Sequence, residues 1–143
     1  MTTGRRAAIF AAVSSATLER GLPYWWRPRG FSMLPAIRDG DRVLIAPVAP
    51  ARLRRGDIVK FTLDGEFRLH RLVRRVRKPS GEWRFELQGD NAVAPDRVVT
   101  ADAIIGIAVA VERAGRVRRL DTPWARARGR LLVMRRRHAR ARG

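Results

Sequence analysis

The chain has 143 residues, 45% of them hydrophobic, which suffices for one domain with one core and excludes a chain disordered by composition. It has no cysteine and two histidines, His70 and His138, which excludes disulfides, thiolate catalysis and Cys-based zinc sites, and no metal or other cofactor is expected. The formal net charge of +18 favours an anionic partner such as nucleic acid, an anionic membrane surface or an acidic protein, although a basic set that is nearly all arginine also fits a GC-rich genome.

Residues 1–29 read as an N-terminal helical arm. Arg5-Arg6 precede an uncharged run from Ala7 to Leu18. As a helix that run is about 18 Å long, against a hydrocarbon core of about 30 Å, so it does not span a membrane. No small-x-small cleavage site follows it, and Glu19 and Arg20 close it, which argues against a secretion signal. The spacing predicts an amphipathic helix over 5–20 with Ile9, Phe10, Val13 and Leu18 on its apolar face, ended by Gly21 and Pro23. Tyr24 to Arg29 is extended or turn-like, and Pro28 biases Arg27 away from helical angles.

Residues 30–120 read as a mainly β unit. A turn at Arg38-Asp39-Gly40-Asp41 leads into a short strand, Arg42 to Ala46. A second turn at Arg55-Gly56-Asp57 leads into a strand from Ile58 to Leu63. Asp64-Gly65 is the strongest hairpin signal. The next strand, Glu66 to Arg77, shifts its apolar phase from Phe67 and Leu69 to Leu72, Val73 and Val76, which predicts a bulge near His70. Pro79-Ser80-Gly81 turns the chain into Glu82 to Leu87, and Gly89 to Pro95 is a loop. Ile104 to Val111 is short, apolar and β-branched, so it reads as a buried strand. Ala114-Gly115 and a last strand around Arg116 to Leu120 complete the unit. From 121 to 143 the chain is a basic tail in which Trp124, Leu131, Leu132, Val133 and Met134 are set among arginines. The glycines in Gly40-Asp41, Gly56-Asp57 and Gly89-Asp90 read as turn chemistry: glycine supplies positive φ, and aspartate bonds the local backbone.

One serine, one histidine and a choice of aspartates sit in separate segments of this β unit. A hydroxyl, a base to take its proton and a carboxylate to orient the base are the groups needed to attack a carbonyl. The segments run in one order: Gly30-Phe31-Ser32-Met33-Leu34-Pro35, Gly40-Asp41, Arg55-Gly56-Asp57-Ile58-Val59, His70-Arg71, Gly89-Asp90-Asn91, Asp96 and Ile105-Gly106. Over about 29–107 this series resembles the type I signal peptidase clan, which includes the self-cleaving LexA-type repressors. It is most similar to the archaeal and endoplasmic-reticulum branch, which has histidine where the bacterial branch has its catalytic lysine. His70 fills that place, Arg71 the arginine position after it, and neither Lys60 nor Lys78 falls there.

The resemblance implies a compact β-domain of short strands and a role for each matching residue. Ser32, followed by Met33 as in the family, would be the nucleophile, and His70 the general base. Asp96 would orient His70, while Asp90 is the competing carboxylate with a more structural family role. Gly30 stands where some bacterial members carry a serine that donates to the oxyanion, which leaves the Ser32 amide as the donor. The implied activity is serine-type endopeptidase action on a peptide or preprotein with small residues before the scissile bond, the substrate pairing with a sheet edge.

Each residue also has a plain structural reading: Ser32 as a turn cap before Pro35, His70 as a solvent-facing strand residue, Asp96 as a turn residue after Pro95. Trp25, Trp26 and Phe31 fit a substrate groove or a lipid-facing rim, and ordinary core packing equally. Two other functions compete, an inactive peptidase fold used as a binding module and a basic nucleic-acid-binding β-domain. The second lacks any helix-turn-helix, RNP-like or zinc motif, which argues against specific nucleic-acid binding. The expected location is cytoplasmic, with Arg135, Arg136 and Arg137 beside Leu131, Leu132 and Val133 offering a peripheral contact to an anionic membrane surface.

Overall fold

The computed structural model describes residues 21–141. The helix expected over 5–20 lies outside the described residues.

The strands are β1 (Tyr24–Trp26), β2 (Arg42–Ala46), β3 (Ile58–Leu63), β4 (Glu66–Arg77), β5 (Trp83–Gln88), β6 (Val99–Thr100), β7 (Ile104–Arg113) and β8 (Arg116–Arg119). They form one antiparallel sheet in the order β1-β2-β7-β3-β4-β5-β6, with β8 also paired to β7. β7 is the hub. β2 runs along one of its edges, while its other edge meets β3 over Ile104 to Ile107 and β8 over Ala110 to Arg113. Short 3-10 turns at Pro50–Arg52 and Ala101–Ala103 lead into other strands, and a helix, α1 (Pro123–Ala141), ends the described chain.

The fold is therefore the mainly β architecture that the strand and turn pattern predicts. The hairpin at Asp64-Gly65 has φ of 54° and 76°, the pair of positive angles that a two-residue turn between right-twisted strands needs. Tyr24–Trp26 adds an edge strand to the sheet, in register with Ile45, Leu44 and Val43.

The predicted bulge is displaced. His70 is locked opposite Val59 in an unbroken β3–β4 ladder, and the register shifts on the other side of β4, between Leu72 and Arg74 against β5. The apolar phase change reflects Val73 as the extra residue.

Alternation along the strands feeds separate apolar clusters. Met33, Ile37, Val43, Ile45, Ile58, Leu69 and Val111 pack together, while Leu53, Val59, Phe61, Leu72, Phe85 and Leu87 form another cluster. Met33 and Ile37 fasten the segment that carries Ser32 to the sheet. Burying each contributes on the order of 1.5–3 kcal/mol.

The segment read as a basic tail contains α1, which packs against the sheet. A Cβ on Gly129 would stand 1.9 Å from Arg71 Cζ, and one on Gly56 would stand 2.7 Å from Arg126 Cβ, so helix and sheet meet at these two glycines. No helix among the described residues is long and apolar enough to cross a membrane.

Candidate active site

Ser32 lies in a compact turn after Gly30, whose φ of 94° is open to glycine and strained for other residues. The Ile37 amide donates to Met33 O at 3.0 Å and the Gly30 amide to Asp39 Oδ1 at 3.1 Å, which closes the turn at both ends. The Asn91 amide donates to Ser32 O at 2.8 Å, and the Asp90 amide meets Met33 Sδ at 3.5 Å. The loop after β5 thereby holds the serine turn by its backbone.

Gly89 makes this approach possible. A Cβ there would stand 2.7 Å from Ser32 O, 3.2 Å from Ser32 Cβ and 3.3 Å from His70 Cδ2. Ser32 and His70 thus crowd one point, the space vacated by a missing side chain. Gly40 and Gly56 have φ of 92° and 94° as turn chemistry predicts, but Gly89 is not in the positive-φ region. Its requirement is close approach, which corrects the reading of Gly89 as a φ device.

His70 is 8% exposed, on β4, with its ring 5.7 Å from that of Phe61. Its Nδ1–H donates to Asp96 Oδ2, which leaves Nε2 as the free ring nitrogen. Asp96 is positioned by its own amide, which donates to Leu87 O at 2.8 Å, and its other oxygen lies 3.7 Å from Arg68 Nη1. The Ser32 hydroxyl makes no hydrogen bond to His70 among the described residues. Such bonds are often long in an unliganded site and tighten with substrate.

Asp90 faces elsewhere. Consecutive strand residues point to opposite sides, so Arg71 leaves the His70 side and meets Asp90. Arg71 Nε and Nη2 donate to Asp90 Oδ1 and Oδ2, each at 2.7 Å, and Nη1 donates to Gly56 O at 2.7 Å. Of the two carboxylates weighed, Asp96 contacts the histidine and Asp90 the arginine.

Asp41 and Asp57 behave as local braces: each accepts from a backbone amide three residues earlier, Arg38 at 2.8 Å and Arg54 at 2.7 Å. Burial pushes the Asp41 carboxyl up, but its hydrogen bonds from Arg113 and the Arg38 amide, with the charges of both arginines, outweigh that and hold it below the ordinary carboxylate value. Burial pushes Asp57 up, with the Arg54 amide and the Arg126 charge only partly opposing.

In front of Ser32 and His70 opens a cleft of about 780 Å³, walled by Trp26, Phe67, Met33, Ile37 and Leu69 and rimmed by arginines. Lys60, which sequence comparison places outside the catalytic-lysine position, is buried beneath the aromatic wall of this cleft. Its Nζ donates to Tyr24 Oη at 3.0 Å and lies 4.1 Å from the centre of the Trp26 ring, 4.7 Å from Phe67 and 5.0 Å from Tyr24. No sequence signal marks this cage, because its members come from three strands. Among the described residues no cluster of His, Asp and Glu is grouped to hold a metal ion.

The family model for Peptidase S24-like proteins matches residues 8–111. The chain belongs to that family. The match spans Ser32, His70, Asp90 and Asp96, ends within β7, and leaves β8 and α1 outside. A search of curated proteins gives no match. Membership in the Peptidase S24-like family points to peptidase or LexA-like function.

Proposed function

We propose that the chain is a serine endopeptidase of the histidine-using type, with Ser32 as nucleophile, His70 as general base and Asp96 as the group that orients the base. The observation that carries this reading is the His70 Nδ1–H bond to Asp96 beside the point that Ser32 shares with His70. The free Nε2 takes the proton of Ser32 Oγ as Oγ bonds to the substrate carbonyl carbon. Collapse of the tetrahedral intermediate breaks the C–N bond, and His70 returns the proton to the leaving amine. Water then attacks the acyl-serine by the same route.

The Ser32 amide makes no hydrogen bond among the described residues, which supports it as the oxyanion donor. One such donor is worth about 3 kcal/mol, or a hundredfold or more in rate. Arg71 and Asp90 support the site from behind; Gly30 and Met33 fix the serine turn.

The test is hydrolysis of a peptide panel with small residues before the scissile bond, together with fluorophosphonate labelling. Ser32→Ala is expected to abolish labelling, and Ser32→Ala, His70→Ala and Asp96→Asn to lower kcat by about 10⁴-fold. Equal rates in all four proteins would overturn the reading in favour of an inactive binding module.

A further inference from the structure

The peptidase reading leaves the substrate open, and the cleft narrows it. Arg27, Arg29, Arg38 and Arg68 line the cleft, with Glu66 as its acidic member. Arg68 is shared between Glu66 and Asp96, each at 3.7 Å. Arg27 Nη1 donates to Gly40 O at 3.1 Å, a backbone contact that leaves its charge unbalanced. Asp39 and Asp41, one and three residues after Arg38, are already engaged: Asp39 Oδ1 accepts from the Gly30 amide, and both Asp41 oxygens accept from Arg113, so the Arg38 charge acts on Asp41 only from outside ion-pair distance. Among the described residues, Arg27, Arg29 and Arg38 have no carboxylate in ion-pair contact. Arg27 and Arg29 flank Pro28 on the segment that delivers Ser32, so their charges lie along the approach to the nucleophile. The floor beneath them is apolar, formed by Met33, Ile37 and Leu69.

We infer that this cleft takes an acidic peptide segment: an extended chain whose small or apolar residues seat at Ser32 and whose flanking Asp or Glu side chains meet Arg27, Arg29 and Arg38. This rests on the peptidase reading above. Guanidinium–carboxylate contacts at a partly exposed rim are each worth roughly twofold to fivefold in affinity, so three together give a selectivity that a peptide panel resolves. The cationic field of the rim also speeds encounter with an acidic peptide, an effect that falls with salt.

The experiment reads binding apart from turnover. Ser32→Ala protein is titrated with three fluorescent peptides sharing one Ala-rich core, flanked by Glu, Gln or Lys. The acidic peptide is expected to bind about tenfold more tightly than the Gln peptide at about 0.15 M salt. Adding Arg29→Gln and Arg38→Gln is expected to remove roughly fivefold of that preference. A charge-matched control, Arg52→Gln with Arg55→Gln, changes two exposed arginines outside the cleft lining and is expected to leave the preference in place. Equal binding of the Glu and Gln peptides overturns the inference, and so does an equal loss in the control, which would assign the preference to the overall charge of the chain. Binding to phosphatidylglycerol vesicles that depends on Arg29 and Arg38, with no preference among the peptides, overturns it in favour of a lipid surface. The same peptides given to wild-type protein separate the two claims. Acid-selective binding without cleavage sinks the peptidase reading alone, and equal cleavage of the Glu and Gln peptides sinks the substrate class alone.

Discussion

Arg71 and Asp90 form a two-pronged ion pair in the interior, 3% and 0% exposed, with both N–O distances at 2.7 Å. It lies directly behind the site: Arg71 follows His70 on β4, and Asp90 follows Gly89. Removing one partner strands a charge, whereas removing both leaves no buried charge there and only the Gly56 carbonyl without its donor. Arg71→Met or Asp90→Leu alone is expected to cost about 3–5 kcal/mol in urea melts, and the double variant markedly less than the sum. Additive losses would show that the pair does not act as a unit.

Gly89→Ala tests the close approach of loop and turn. The new methyl meets Ser32 O, Ser32 Cβ and His70 Cδ2, so the serine turn must shift by several tenths of an ångström. We expect a stability loss of about 1–3 kcal/mol and a fall in kcat on the order of 10²-fold, because small displacements at a reacting centre are costly. Unchanged peptide hydrolysis in a folded variant would remove the serine turn from the chemistry.

Lys60→Met keeps the bulk of the side chain and removes its charge from between Tyr24, Trp26 and Phe67. A desolvated cation over an aromatic face contributes about 2 kcal/mol or less per ring here, since one ammonium is shared among several. The expected result is a lower Tm, altered tryptophan emission and a raised KM with kcat nearly unchanged, because Trp26 and Phe67 wall the cleft and stand outside the Ser32, His70 and Asp96 set. A fall in kcat at constant KM would contradict that division.

Asp41 and Asp57 are expected to give opposite pH dependences. Asp41 is held below the ordinary value of 3.8, so its contribution is present above that value and lost as pH falls through the depressed folded value. Asp57 is raised above 3.8, so the folded state holds its proton longer, and stability is lost as pH rises from 3.8 through the raised value. Relative to wild type, Asp57→Asn should therefore gain stability as pH rises above 3.8, and Asp41→Asn should be less damaging well below 3.8 than at neutral pH. Thermal melts of the three proteins across this range give the signs directly.

What was legible in the sequence follows the range of the physics. Asp64-Gly65 demands positive φ at neighbouring residues, so the hairpin and its two strands could be read locally. Asp41 and Asp57 bond amides three residues back, and their bracing roles could be read the same way. The Ser32, His70 and Asp96 set could be picked out only through family resemblance, since nothing local brings His70 to a carboxylate 26 residues away. Gly89 was misread because close approach depends on where Ser32 comes to rest, and the bulge was misplaced because pairing with Val59 fixes His70 from outside β4. The packing of α1 on Arg71 depends on Gly129, whose missing side chain carries meaning only once Arg71 lies beneath it.

That last contact carries the buried interior beyond the stretch the family pattern covers. The family pattern stops at residue 111, but the guanidinium behind the histidine is roofed by a helix that starts at Pro123. A version cut back to Leu120 would keep every residue proposed to touch substrate and yet open Arg71 and Asp90 to water. A shortened version that keeps this roof has to run at least through Val133, an apolar residue of that helix 3% exposed and the last one buried among the described residues.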